Sequence, residues 1–190
     1  MHFPRRRFCQ RLAAGLLAVT FPGLALAAVP DGSKPNLLVN GDFSKGIEGW
    51  EFNGNRKQGQ ATPDATEKHE GHPSVRIDNL GADDSHLSQK VAVKPATRYR
   101  LTGWARTRGV MGDNPKNTAG ASVGVRGTFL MSAPPVNKTQ GWKHLSVEIA
   151  TVAETEIAVG PRLGSFGAVV KGSAWFAELE FKEIGPSSKR

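Results

Sequence analysis

The chain has 190 residues with one Cys, 22 Gly and 12 Pro, and 25 basic against 17 acidic side chains give a net charge of +8. That length holds one full domain or two very small ones, and a lone Cys excludes both a disulfide scaffold and a cysteine-based zinc site. The Gly and Pro content, without any long stripe of period 3.6, argues against a helical bundle, while the charge taken alone points to nucleic acid.

The first segment changes that reading. Arg5, Arg6, Arg7 and Arg11 form a basic head, residues 12–26 are apolar, and Ala25-Leu26-Ala27 fits a signal-peptide cleavage site. The apolar run is shorter than the roughly 20 residues of a spanning helix, so residues 1–27 read as an export signal, with no stable membrane insertion after cleavage. The product is expected in the periplasm or outside the cell. Arg5-Arg6-Arg7-Phe8 approximates a twin-arginine pattern, which leaves the export route open between that and general secretion. Those four arginines hold half of the net charge, and Cys9 leaves with them. What remains is mildly basic, cysteine-free and evenly charged along its length, which excludes nucleic acid as the expected partner.

Residues 28–36 read as a tether, 37–184 as the folded domain and 185–190 as a polar tail. Period-two alternation predicts strands near residues 37–40, 50–52, 74–78, 86–93, 98–108, 121–126, 142–151, 156–160 and 174–184. Segments 53–73, 110–118 and 131–140 read as loops. Short strands with no room for crossover helices predict an all-β jelly-roll sandwich of about eight or nine antiparallel strands. Within the opening, Asn40-Gly41 suits a turn, Phe43 returns to the core, and Trp50 closes one end of the sandwich.

The run Asn36-Leu37-Leu38-Val39-Asn40-Gly41-Asp42-Phe43, followed by Gly49-Trp50, resembles the opening of the family 4/9 carbohydrate-binding modules, which are galactose-binding-like β-sandwiches. Three further stretches are similar, in the same order, to their central, late and closing strands: Tyr99 with Arg100-Leu101-Thr102-Gly103-Trp104-Ala105-Arg106, then Gly141-Trp142-Lys143, then Ala174-Trp175-Phe176-Ala177-Glu178-Leu179. The resemblance implies a carbohydrate ligand and a non-catalytic role, in some cases alongside glycoside hydrolases. It also implies a structural calcium held by an acidic side chain after the opening Phe and an Asp in the closing strand. Those positions hold Ser44 and Ala177-Glu178 here. Two carboxylates are missing from a site that wants six to eight oxygens, so Glu178 is the one metal-ligating candidate and no cofactor beyond that calcium is expected.

Alternation in 98–108 sends Tyr99, Leu101, Gly103 and Ala105 to the core and Arg100, Thr102, Trp104, Arg106 and Arg108 to the opposite face. The same logic turns Trp142, His144, Ser146 and Glu148 outward, and likewise Ser122 and Arg126. If these strands share a sheet, Trp104, Arg106, Arg100, Arg126 and His144 form a sugar platform: a pyranose ring stacks on the indole while guanidinium groups donate to hydroxyls or carboxylates. Arg donors favour an acidic polysaccharide, and the 53–73 loop is expected to add contacts. The competing reading has a loop covering Trp104 and the arginines forming a solvated surface.

His69, His72 and His86 with Glu70, Asp83 and Asp84 have metal-like composition, but Gly71 and Pro73 argue against a helix at His69-Glu70-Gly71-His72, so a solvated polar loop is expected there. No nucleophile elbow, zinc-protease motif or phosphate loop is found. Two other classes stay open: an envelope or secreted sandwich that mediates protein contacts, and a small polysaccharide-degrading enzyme.

Overall fold

The computed structural model describes residues 34–114 and 116–187, in which nine strands and no helix are found. The expected signal segment, most of the tether and the end of the tail lie outside the described residues. No helix among them is long and apolar enough to cross a membrane.

The strands are β1 (Glu51–Gly54), β2 (Gly59–His69), β3 (His72–Asp83), β4 (Ser85–Ala92), β5 (Thr97–Gly112), β6 (Ala121–Val125), β7 (Lys138–Ala150), β8 (Glu156–Leu163) and β9 (Val170–Pro186). They form a four-stranded sheet of order β1-β4-β8-β6 and a five-stranded sheet of order β2-β3-β9-β5-β7, antiparallel throughout. From β3 onward the chain changes sheet at every strand, the connectivity of a jelly roll.

The two sheets meet over one apolar core. From the five-stranded sheet come Ile77, Tyr99, Leu101, Phe176 and Phe181, and from the other Leu87, Val123, Val159 and Leu163, all essentially inaccessible. Each such side chain stabilises the fold by about 1.5–3 kcal/mol through removal from water. Tyr99 stacks on Phe181 with centroids 5.0 Å apart and accepts the Lys94 N–H on its phenolic oxygen at 2.8 Å. The odd positions of β5 face this core as the alternation predicts, and Gly103 is small because Leu179 fills the space where a Cβ would sit.

The opening segment behaves as a clasp. Residues 37–40 form no strand, contrary to the expectation from their apolar run; they turn, and the clasp is tied by single bonds from the Leu37 N–H to the Phe181 carbonyl and from the Leu179 N–H to the Gly41 carbonyl, both 2.8 Å. A Cβ on Gly41 would overlap the Leu179 carbonyl oxygen, so this close approach requires glycine. Phe43 takes a left-handed φ of 54°, unfavourable for a bulky residue, and is held there by near-complete burial against Trp50 at 5.4 Å. The Trp50 indole N–H donates to the Asn40 carbonyl at 3.2 Å.

The largest departure from expectation is β2, which occupies much of the segment read as a loop. It is an edge strand, polar on both sides and containing Pro63, so it shows no alternation and tolerates the missing N–H.

Candidate functional site

β5, β9 and the edge strand β7 turn their non-core residues to the outer face of the five-stranded sheet. The pairing places Trp104 beside His144 on β7 and Ala177 on β9, and Arg106 beside Trp175. Trp175 faces outward because Ala174 and Phe176 face the core, and Trp142 lies two residues from His144 on the same face.

β2 determines what lies on top. Asp64 accepts hydrogen bonds from the Thr66 N–H (3.0 Å) and hydroxyl (2.7 Å), the Glu67 N–H (3.0 Å) and the Trp175 indole N–H (2.8 Å). This local turn breaks the β2–β3 register between Asp64 and His69, and the Ser74 hydroxyl secures it by donating to the Glu67 carbonyl at 2.6 Å. The end of the hairpin thereby folds across the face. Burial alone would raise the Asp64 pKa, but the donors from Glu67, Thr66 and Trp175 outweigh it and hold the carboxyl well below the ordinary carboxylate range.

Glu67 then reaches Arg106 at 2.5 Å, and His69 stacks on Trp104 with centroids 4.2 Å apart and meets Trp142 at 5.2 Å with the planes at 65°. His144 meets Trp104 edge-on at 5.1 Å. Four aromatic rings, Trp104, Trp142, His69 and His144, thus form a continuous cluster. Trp175 is only 4% exposed, covered by the guanidinium groups of Arg106 at 6.0 Å and Arg108 at 5.1 Å.

Of the residues proposed from sequence, Trp104, Arg106, Arg100 and His144 share this face. Trp104 is half-buried and His144 exposed. Arg100 lies further along β5, bound to Glu148 at 2.6 Å. Arg126 does not belong with them. It follows β6 in the other sheet, 3.6 Å from Glu51, at a hollow of about 500 Å³ that also includes Asn53, His86 and Arg162. Alternation gives the side of a strand but not its sheet, and the jelly-roll crossover sends β6 away from β5. Ser122, also expected to face solvent, is buried under the 128–136 segment, where the Ser132 hydroxyl accepts from the Val123 N–H at 3.1 Å.

The sequence assigned contacts at the face to the 53–73 segment as a whole without singling out Asp64, Glu67 or His69, and it did not place Trp175 there. Alternation around Ala174 and Phe176 contains the signal for Trp175. Nothing local signals His69, which is buried rather than part of a solvated loop, because its position depends on a fold-back across β9.

Glu178 sits on a bulge of β9 with φ 51° and binds His69 through its Nδ1, with His72 Nε2 3.8 Å from its other oxygen. The Ser44 hydroxyl donates to Asp42 at 3.0 Å. One carboxylate already bound to an imidazole, with Ala177 beside it and Ser44 in place of the acidic side chain, does not supply the six to eight oxygens that a calcium ion requires.

The sequence profile of a carbohydrate binding domain family, the 4/9 family, matches residues 35–155, and the chain belongs to that family. Among curated protein sequences none matches. Solved structures of similar fold include a family 61 module in complex with beta-1,4-galactotriose (TM-score 0.50, 22% identity, 78% of this chain and 99% of that one). A family 22 xylan-binding domain from Paenibacillus barcinonensis is also similar (TM-score 0.56, 14% identity, 80% and 96%). So is the enzymatically active domain of a bacteriophage CBA120 tailspike protein (TM-score 0.53, 13% identity, 78% of this chain), of which this chain spans only 21%. These likenesses identify the fold as the sandwich of carbohydrate-binding modules.

Proposed function

We propose that this protein is an exported, non-catalytic carbohydrate-binding module that holds a poly- or oligosaccharide against the outer face of its five-stranded sheet. The observation that supports this most is the aromatic cluster of Trp104, Trp142, His69 and His144 on one face of a domain from a carbohydrate-binding family. Trp142 is the stacking platform: it is half-buried on the edge strand, and no ring among the described residues stacks parallel to it. Trp104, with His69 on its ring, forms the floor. His144 and Arg108 are exposed donors at either side.

The charge on this face favours a neutral sugar chain over an acidic one. Arg106, Arg100 and Arg76 each hold a carboxylate, at 2.5, 2.6 and 2.7 Å respectively. Arg108 alone among the guanidiniums of this face has no ion-pair partner among the described residues. Paired in this way, the arginines act as oriented hydrogen-bond donors rather than as a cationic field. The galactotriose held by one similar module and the xylan for which another is named set the first ligands to try. Export rests on the residue pattern of 1–27. The absence of a catalytic motif rests on the sequence.

Affinity electrophoresis of the purified protein through gels containing neutral and acidic polysaccharides tests the proposal. Retardation by at least one neutral polysaccharide, in the micromolar-to-millimolar range of a shallow site, is expected. Migration unaffected by every polysaccharide would overturn it.

A further inference from the structure

We propose that the β2–β3 turn and the β9 bulge together form a zinc site, held by His69, Glu70 and Glu178 and completed by His72. The inference does not rest on sugar binding. The ligand atoms of His69, Glu70 and Glu178 all lie within 4.8 Å of one another. Tetrahedral zinc with bonds of about 2.0–2.1 Å separates its ligand atoms by about 3.3 Å, so the widest pair closes by at most about 1.5 Å while the Glu178 oxygen in contact with His69 Nδ1 backs away to admit the ion.

Three independent features make this more than a chance grouping. His69 is fixed before any ion arrives: it is 8% exposed and its ring is held by Trp104 and Trp142, so it needs no further ordering. Glu178 presents one oxygen to His69 Nδ1 and the other toward His72 Nε2, 3.8 Å away, on a half-buried side chain with room to shift outward as an ion enters between it and the ring. Glu70, at the tip of the turn with φ 45°, accepts no hydrogen bond on its carboxylate and makes no ion pair among the described residues, and is free to take up a metal.

The donor set selects the ion. Calcium wants oxygen alone and more of it, whereas one or two imidazoles with two carboxylates suit zinc. Two carboxylates also neutralise the charge of a divalent cation, so a half-buried site acquires no net charge. Zinc binds the imidazole through Nδ1. With zinc on Nδ1 the neutral ring carries its one proton on Nε2: the proton leaves Nδ1 for solvent, Nε2 takes one from solvent, and no net proton is released. The bound ion would then fasten the hairpin end to β9 beside the aromatic cluster.

Isothermal titration of the untagged, EDTA-stripped protein with zinc chloride, with calcium chloride as comparison, tests the site. The expected result is one zinc per chain, no binding of calcium at the same concentration, and affinity weakened at least about tenfold in His69→Ala and Glu178→Gln. Because removing His69 also removes a buried ring, Glu70→Ala and His72→Ala on the exposed turn provide the control. Each is expected to weaken zinc binding while leaving the unfolding midpoint of the metal-free protein unchanged. No zinc binding, zinc binding that these four substitutions leave intact, or calcium binding as tightly as zinc would overturn the proposal.

Discussion

Asp64 is the residue on which the shape of the binding face most depends, and Asp64→Ala is its test. Two of its four hydrogen bonds, those from Thr66, are exposed, and water replaces them at little cost. The other two involve the Glu67 N–H and the indole N–H of Trp175, a side chain 4% exposed. Leaving these donors unsatisfied costs about 1–1.5 kcal/mol each, or about 2–3 kcal/mol in total. For a domain of this size the unfolding midpoint should fall by roughly 5–10 °C. Asp64→Asn keeps one acceptor oxygen and should lose about 1 kcal/mol.

The pH dependence separates the carboxylate from the shape of the side chain. The Asp64 pKa is depressed in the folded state, so its contribution is fully present above the unfolded value near 4 and is lost as pH falls through the folded value. The stability gap between the native chain and Asp64→Asn should therefore be constant near neutrality and shrink below about pH 4. Asp83 is depressed too: burial would raise it, but N–H donors from Arg56, Gln58, Asp84 and Gly59 outweigh that, and its share of the acid loss is common to both proteins. Urea unfolding followed by tryptophan fluorescence at several pH values measures both quantities. An Asp64→Ala protein within about 0.5 kcal/mol of the native chain, or a gap independent of pH, would refute the assignment of Asp64 as the brace.

Three further outcomes follow from the structure. Gly41→Ala should destabilise by about 2–4 kcal/mol in the same unfolding assay, because its Cβ meets the Leu179 carbonyl in the clasp. Glu67→Gln frees Arg106 from its carboxylate; it should change stability by less than about 1 kcal/mol while shifting gel retardation toward uronic-acid polysaccharides. Affinity of the native chain for a neutral polysaccharide should stay within about twofold as sodium chloride is raised severalfold, since paired arginines leave little long-range field to screen.

The alternation of β5 and β7 was sufficient to place Trp104, Arg106, Trp142 and His144 on the non-core side, because a strand with one buried face shows that face as a period of two. The β2 segment was not legible for the converse reason: an edge strand polar on both sides has no period to read. Arg126 was misplaced because it has the right side of its strand in the wrong sheet, and sheet membership is set by crossovers that leave no local trace. The contacts of His69 with Trp104 and Glu178 arise from a single fold-back at Asp64. They join residues read separately from sequence as a polar loop and a degraded calcium ligand.

The most direct test of a sugar-binding outer face is titration calorimetry with the polysaccharide that retards the protein most, comparing the native chain with Trp142→Ala and Arg126→Ala. Trp142 is half-buried on an edge strand, so its removal is tolerated by the fold, whereas Arg126 lies on the other sheet. Loss of the platform should weaken binding at least about tenfold, equivalent to about 1.4 kcal/mol, with Arg126→Ala unchanged. Full affinity in Trp142→Ala, or loss of binding in Arg126→Ala alone, would place the sugar elsewhere and contradict the account.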